Sequence, residues 1–242
     1  MSERVAPAAR GTTARGRLPR PASAVILDMD GTLHDTEAVY HRALKHAVLA
    51  VGFTVSDEFC HSLIGIPGSE GDALLSAHLG PGFPFAEYDR LYAEQCERLL
   101  AGSVPLKPGA SELLDELERR ALPRAVATSA TRKRAAYQLR SSGLGARLSV
   151  VVTRDDVARG KPHPDIFFEA ARRLGVAPER CTAIEDSFNG VHAAHAAGMM
   201  VVMVPDLLRP TPEIRALCAT VAADLHEVRD LIASTADISP RS

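Results

Sequence analysis

The stretch AVILDMDGTLHD, Ala24 to Asp35, decides the architecture. Its first four residues form an unbroken apolar run, as a strand buried on both faces requires. The run stops at Asp28 and Asp30 and turns at Gly31, so this strand delivers two carboxylates to its C-terminal end. Asp before Gly is common turn chemistry. A buried run before the pair and GTL after it point instead to a site at a sheet edge.

Four more apolar runs follow, Arg124–Ser129, Leu148–Thr153, Cys181–Glu185 and Met199–Val204. They alternate with helical patterns at Ala110–Ala121, Thr131–Ser142, Asp165–Leu174 and Gly190–Ala197. Strand and helix in alternation predict an α/β fold, a doubly wound parallel sheet with right-handed crossovers. Residues 22–35 and 106–242 are assigned to this core. Between them the text changes to successive helices, Glu37–Val51, Asp57–Ile64, Glu70–His78 and Phe85–Leu100. Loops at Gly65, Pro67 and Gly68, and again at Gly80 to Pro84, punctuate them. Residues 36–105 therefore read as an inserted helical unit.

Residues 1–21 are rich in Arg, Ala, Gly and Pro, lack periodicity, and are expected to be a disordered tail. Arg4, Arg10, Arg15, Arg17 and Arg20 against the single acid Glu3 also fit an organelle transit peptide, although no amphipathic apolar face accompanies them. No secretory hydrophobic region is present, and a cytoplasmic location is expected. The chain of 242 residues is 46% hydrophobic and 24% charged, the balance of a soluble globular protein. Its formal charge of -2 supplies no overall basic field for nucleic acid. No apolar run reaches the roughly 20 residues that a membrane span needs. A small molecule is the expected partner, with no obligate protein partner. Cys60, Cys96, Cys181 and Cys218 are widely spaced and read as apolar thiols in a reducing environment.

In an open parallel sheet, ligands bind beyond the carboxyl ends of the strands. The first strand closes in DMDGT, Asp28 to Thr32, and the second in TSAT, Thr128 to Thr131. GKPHPD, Gly160 to Asp165, follows the third, and the fourth closes in EDSFNG, Glu185 to Gly190. Several carboxylates meeting in one cleft raise each other's pKa unless a cation neutralises them. A hard divalent ion resolves this, and Mg2+ prefers oxygen ligands. Its expected holders are Asp28, Asp186, Glu185 and the Asp30 segment through a backbone carbonyl.

That chemistry suits phosphate monoesters, whose slow uncatalysed hydrolysis demands on the order of 20 kcal/mol of barrier lowering. A carboxylate nucleophile, Asp28, splits the reaction into formation and breakdown of an aspartyl phosphate. Asp30 would serve as acid and then base, provided its pKa is raised relative to that of its metal-bound neighbour. Ser129, its neighbour Ala130 and Lys161 are the candidate phosphate binders. Thr128, Ser187 and Asn189 are candidates for orienting these groups or shaping the loops. His34, near the start of the insertion, is a candidate for touching substrate.

DMDGTLHDTE, ATSAT, GKPHPDIF and IEDSFNGV, in that order and spacing, resemble the four motifs of the haloacid dehalogenase superfamily of phosphatases and phosphomutases, and of its β-phosphoglucomutase-like branch. The resemblance runs from Ala22 to about Pro210. It implies the same roles for Asp28, Asp30, Ser129, Lys161, Glu185 and Asp186, and implies that the insertion is a mobile cap. Mutases of this branch are expected to carry a cap arginine for a second phosphate. Here the stretch is LIGIPGSE, Leu63 to Glu70, with Gly68 at the aligned position. A phosphatase is therefore expected in preference to a phosphosugar mutase. A phospho-accepting receiver would need no such insertion, a metal-free dehalogenase would have no use for the metal carboxylates, and a noncatalytic phosphate-binding scaffold would not need every catalytic position filled.

Overall fold

The computed structural model describes residues 18–63, 66 and 68–236. Six strands form one sheet, β1 (Ala24–Leu27), β2 (Arg124–Ala127), β3 (Val150–Val152), β4 (Cys181–Glu185), β5 (Met200–Met203) and β6 (Thr220–Val221). Their spatial order is β3-β2-β1-β4-β5-β6 and every pairing is parallel. From β1 the chain builds outward through β2 to β3, then returns to the other side of β1 with β4. The carboxyl ends of β1, β2 and β4 thus frame the crevice where connections diverge to opposite faces, the usual ligand position in such sheets.

Side chains alternate across the sheet with a period of two. Val25 and Leu27 join Leu113, Leu117, Val228 and Leu231 in a core on one face. Ala24 and Ile26 join Ile166, Phe167, Ala170 and Val191 on the other. The first face is covered by α5 (Ala110–Arg119), α6 (Arg132–Ser141) and α10 (Leu225–Ala236). The second is covered by α7 (Asp165–Leu174), α8 (Phe188–Ala196) and α9 (Pro212–Leu217). With both faces buried, the strands read as continuous apolar runs, which is why they were legible in the sequence.

Residues 36–105 contain α1 (Glu37–Ala50), α2 (Asp57–Ser62), α3 (Gly68–Leu79) and α4 (Phe85–Leu99) and no strand among the described residues. They hold a separate apolar cluster of Ala47, Val48, Leu75, Phe83 and Tyr88. The two chain crossings into this unit lie side by side: Asp35 N donates to Pro105 O at 2.9 Å and Lys107 N to Leu33 O at 2.9 Å.

Several expectations change in detail. β1 and β4 span the apolar runs as read, while β2, β3 and β5 are two or three residues shorter; at β2 the polar end, Thr128 and Ser129, leaves the ladder to form a site loop. β6 has two residues, too few to carry a period, and was missed. Of the expected disordered tail, residues 1–17 lie outside the described residues, but Leu18 is buried against the first core and Arg20 Nε donates to Glu179 O at 2.9 Å. Ile64, Gly65 and Pro67 of LIGIPGSE also lie outside them, while Gly68 opens α3. All four cysteines are free, two of them buried. Among the described residues, no helix is long and apolar enough to cross a membrane.

Candidate active site

A cavity of about 340 Å³ lies between the carboxyl ends of the strands and the helical insertion. Asp28, Asp30, Thr128, Ser129, Ala130, Lys161, Asp186 and Ser187 line its floor. Residues more than 150 positions apart in the chain meet here because β1 and β4 are paired in register, Leu27 beside Ile184.

Lys161 is the centre of the floor. It is 4% exposed, and its Nζ donates to Asp28 Oδ1 at 2.5 Å, to Ala127 O at 3.0 Å and to Glu185 Oε1. Burial works against the ammonium, but the charges of Asp28 and Glu185 prevail and hold its pKa above the ordinary value. A buried cation with two carboxylates and a carbonyl is fully satisfied; removal of one partner would leave a buried charge uncompensated.

The acids outnumber it. Ligand oxygens of Asp28, Glu185 and Asp186 lie within 4.8 Å of one another. Burial, and then the neighbouring carboxylates against the pull of Lys161, push Asp28 well above the usual carboxylate range. Asp186 is likewise raised, by burial and by Asp28, Glu185 and Glu37. Two carboxyls disfavoured as anions beside a third are a site that lacks positive charge, and a hard dication offsets such a deficit. The oxygen-only donor set therefore fits magnesium.

Local backbone makes the approach possible. Gly31 adopts φ of 81°, and a Cβ there would stand 2.2 Å from Asp186 Oδ2. Only glycine allows the β1 turn to close against the β4 acid. Thr32 Oγ1 then donates to Asp186 Oδ1 at 3.1 Å. Gly190 does the same from α8, since a Cβ there would overlap the Glu185 carboxylate. Glu185 itself is fully buried and lines no part of the cavity; its Oε2 accepts from the backbone N–H of Asp186 and from Ser187 Oγ at 3.2 Å each. Expected as a direct metal carboxylate, it stands within reach of that cluster but is engaged from behind, with Lys161. Ser187 also caps α8, accepting from Gly190 N at 3.1 Å. Asn189 lies in the first turn of that helix.

After β2, Thr128 is buried and its Oγ1 accepts from Ala130 N at 3.0 Å, which shapes the loop. Ser129 is left exposed to the cavity. The cap of α6 is Thr131, whose side chain accepts from Arg134 N. Ser129 is thereby free of capping duty.

Asp30 is not raised in pKa relative to Asp28, contrary to expectation. Its Oδ1 accepts from Thr36 Oγ1 at 2.7 Å, Gln138 Nε2 at 3.0 Å and Tyr40 OH at 3.1 Å, and Oδ2 pairs with Arg134 at 3.2 Å. Burial raises its pKa, but Arg134 and these donors outweigh it, and the carboxyl sits below its ordinary value. Arg134 also stacks 4.1 Å over the Tyr40 ring.

His34 is fully buried, its Nε2 lies 2.9 Å from Ser142 Oγ, and it lines no part of the cavity. Its position beneath the chain crossing removes it from contact with substrate in this arrangement. Glu37, Tyr40, Arg134 and Gln138 were missed as site residues. The signal existed: Glu37, Tyr40, His41 and Leu44 follow i, i+3, i+4, i+7 spacing, and Arg134 and Gln138 are four apart, so each set shares a helix face. Which face turns toward the crevice is a matter of packing, not of spacing. Burial, then the charges of Asp30 and Asp206, push the Glu37 carboxyl up to about 7.

Residues 25–204 match the family described as haloacid dehalogenase-like hydrolase. The chain is 32% identical over 176 residues to a phosphorylated carbohydrates phosphatase of Thermotoga maritima, covering 73% of this chain and 82% of that protein. It is 34% identical over 193 residues to a probable pseudouridine-5'-phosphatase of Drosophila melanogaster, with 77% and 83% covered. Among solved structures it resembles CbbY of Rhodobacter sphaeroides crystallised with xylulose-1,5-bisphosphate, at a TM-score of 0.73, 29% identity, and coverage of 84% of this chain and 95% of that one.

Proposed function

The chain belongs to the haloacid dehalogenase-like hydrolases and is a phosphoric monoester hydrolase, and from that premise we propose that it hydrolyses a small phosphorylated metabolite through an aspartyl-phosphate on Asp28, with magnesium bound. The observation that carries this reading is the meeting of Asp28, Glu185 and Asp186 within 4.8 Å beside the buried Lys161.

Asp28 and Asp186 would hold the ion, with Glu185 behind them and the Asp30 backbone nearby. When bound, magnesium supplies charge neutralisation between the carboxylates and the phosphoryl oxygens. An Asp28 oxygen attacks phosphorus as the bond to the ester oxygen breaks, and Asp30 gives that oxygen its proton. Water then attacks the aspartyl phosphate, loses its proton to Asp30, and releases phosphate and the Asp28 carboxylate. Ser129 and the backbone at Ala130 donate to the nonbridging oxygens, and Lys161 attracts them as a fixed charge beside Asp28. The Arg134 pair favours the base form of Asp30; an arriving phosphoryl dianion favours the acid form, since like charge raises a carboxyl pKa. Residues 36–105 act as a cap over residues 22–35 and 106–242, hinged where Asp35 and Pro105 meet, and exclude water on closure. The lack of Lys or Arg in LIGIPGSE supports hydrolysis over transfer between hydroxyls.

The test is phosphate release from phosphorylated metabolites with magnesium. Asp28→Asn is expected to lower kcat by at least about a thousandfold with circular dichroism unchanged, and EDTA to stop turnover reversibly. Turnover that survives in Asp28→Asn would end the covalent reading; rates indifferent to EDTA would end the metal assignment.

A further inference from the structure

The upper wall of the cavity meets whatever leaves with the ester oxygen, and its composition is lopsided. Tyr40, Leu75, Tyr88 and Tyr92 give it ring and aliphatic surface, and Asp72 and Asp89 give it carboxylates. Between Lys45 and Arg90 the chain contains no Lys or Arg at all. No permanent cation can therefore enter the chamber from α2, α3 or their connecting loop in any conformation. His41 faces the cavity, but burial lowers its pKa against the opposing pull of Asp57, so the ring is held toward neutrality.

Each cation of the floor already has an anionic partner among the described residues. Lys161 serves Asp28 and Glu185. Arg134 serves Asp30 and lies on Tyr40. A second phosphate on the leaving group would meet Asp72 and Asp89, and would have to share Arg134 with Asp30. Hydroxyl and ammonium donors would instead find acceptors, and a sugar ring would find tyrosine and aliphatic surface.

Resting on the phosphatase reading above, we infer that the chamber selects monophosphates of a neutral or ammonium-bearing ring polyol and turns away esters that carry a second phosphate or a carboxylate. Asp72 and Asp89 are the discriminating residues. In this the chain parts from the relative crystallised with a bisphosphate. Specificity of this kind works by repulsion as much as attraction: like charges brought together in a closed site are rejected.

The experiment uses the full chain with magnesium and measures kcat/KM for fructose 6-phosphate, glucosamine 6-phosphate, fructose 1,6-bisphosphate and 6-phosphogluconate, with p-nitrophenyl phosphate as a reporter of the hydrolase itself. The first two are expected to exceed the last two by about tenfold or more. Should only p-nitrophenyl phosphate turn over, the four are compared as competitive inhibitors of that reaction, and the same order is expected. In Asp72→Asn/Asp89→Asn the monophosphate-to-bisphosphate ratio is expected to shrink several-fold; as a ratio, it is insensitive to a general loss of activity. If the double variant does not fold, each single variant is read the same way. A bisphosphate preferred by the unaltered enzyme, or a ratio unmoved in folded variants, overturns the inference while the hydrolase reading stands. Silence on every ester, p-nitrophenyl phosphate included, overturns both.

Discussion

At the residue scale, His34 shows how burial converts a tempting catalytic candidate into a stability element. Its ring is out of water, and burial, against the opposing charge of Asp30, lowers its pKa to about 4. In the unfolded chain a histidine titrates near about 6.5. Between those values the unfolded state binds a proton that the folded state refuses, so the contribution is fully present above about pH 6.5 and is lost as pH falls toward 4. We predict that the unfolding free energy falls by up to about 3 kcal/mol over that window on this account. Urea titrations of wild type and His34→Gln at several pH values would check it; a wild-type slope no steeper than the variant's would refute the assignment. Sequence placed Asp28, Asp30 and Asp186 at strand ends, and Lys161 in a loop after the third strand, from residue type and order. It could not say that Asp30 is gripped by four donors, because Arg134 and Gln138 sit on a helix whose rotation depends on tertiary packing.

At the element scale, the site depends on how closely α8 approaches the end of β4. Gly190 permits that approach, and Glu185 fills the space a side chain would take. We predict that Gly190→Ala pushes α8 outward, displaces the Glu185 carboxylate from Lys161, and costs roughly 1–3 kcal/mol of stability with loss of phosphate release. Thermal melting and phosphate release measured on one preparation would check it, and full activity with an unchanged melting temperature would show that the helix shifts freely. The strands were legible because both sheet faces are covered and each strand is an apolar run. The helices of the insertion were legible from their periodicity and loop glycines. β6 was not, since two residues carry no pattern and their pairing with β5 is set by the chain returning through α9.

For the whole molecule, function opposes stability at the meeting of β1 and β4. Asp186 is raised by burial and by its neighbours' charges, so without a cation its ionised form works against the fold, and this penalty grows as pH rises through its elevated pKa. We predict that Asp186→Asn melts about 2 °C or more above wild type in EDTA at pH 7.5. The same variant is expected to lose the stabilisation that magnesium confers on wild type. Calorimetry with and without magnesium would check both; an Asp186→Asn that melts lower in EDTA would mean that its hydrogen bond with Thr32 outweighs the repulsion.

By itself the sequence determined the class of fold, the order of the site segments, and the kinds of group they bring, because apolar runs, turn glycines and residue types are local properties. Only the tertiary structure decided that Lys161 locks Asp28 to Glu185, that Arg134 and Tyr40 engage Asp30, and that Asp72 and Asp89 overlook the same cavity. Those relations depend on register between distant strands and on the rotation of packed helices, which no local pattern encodes.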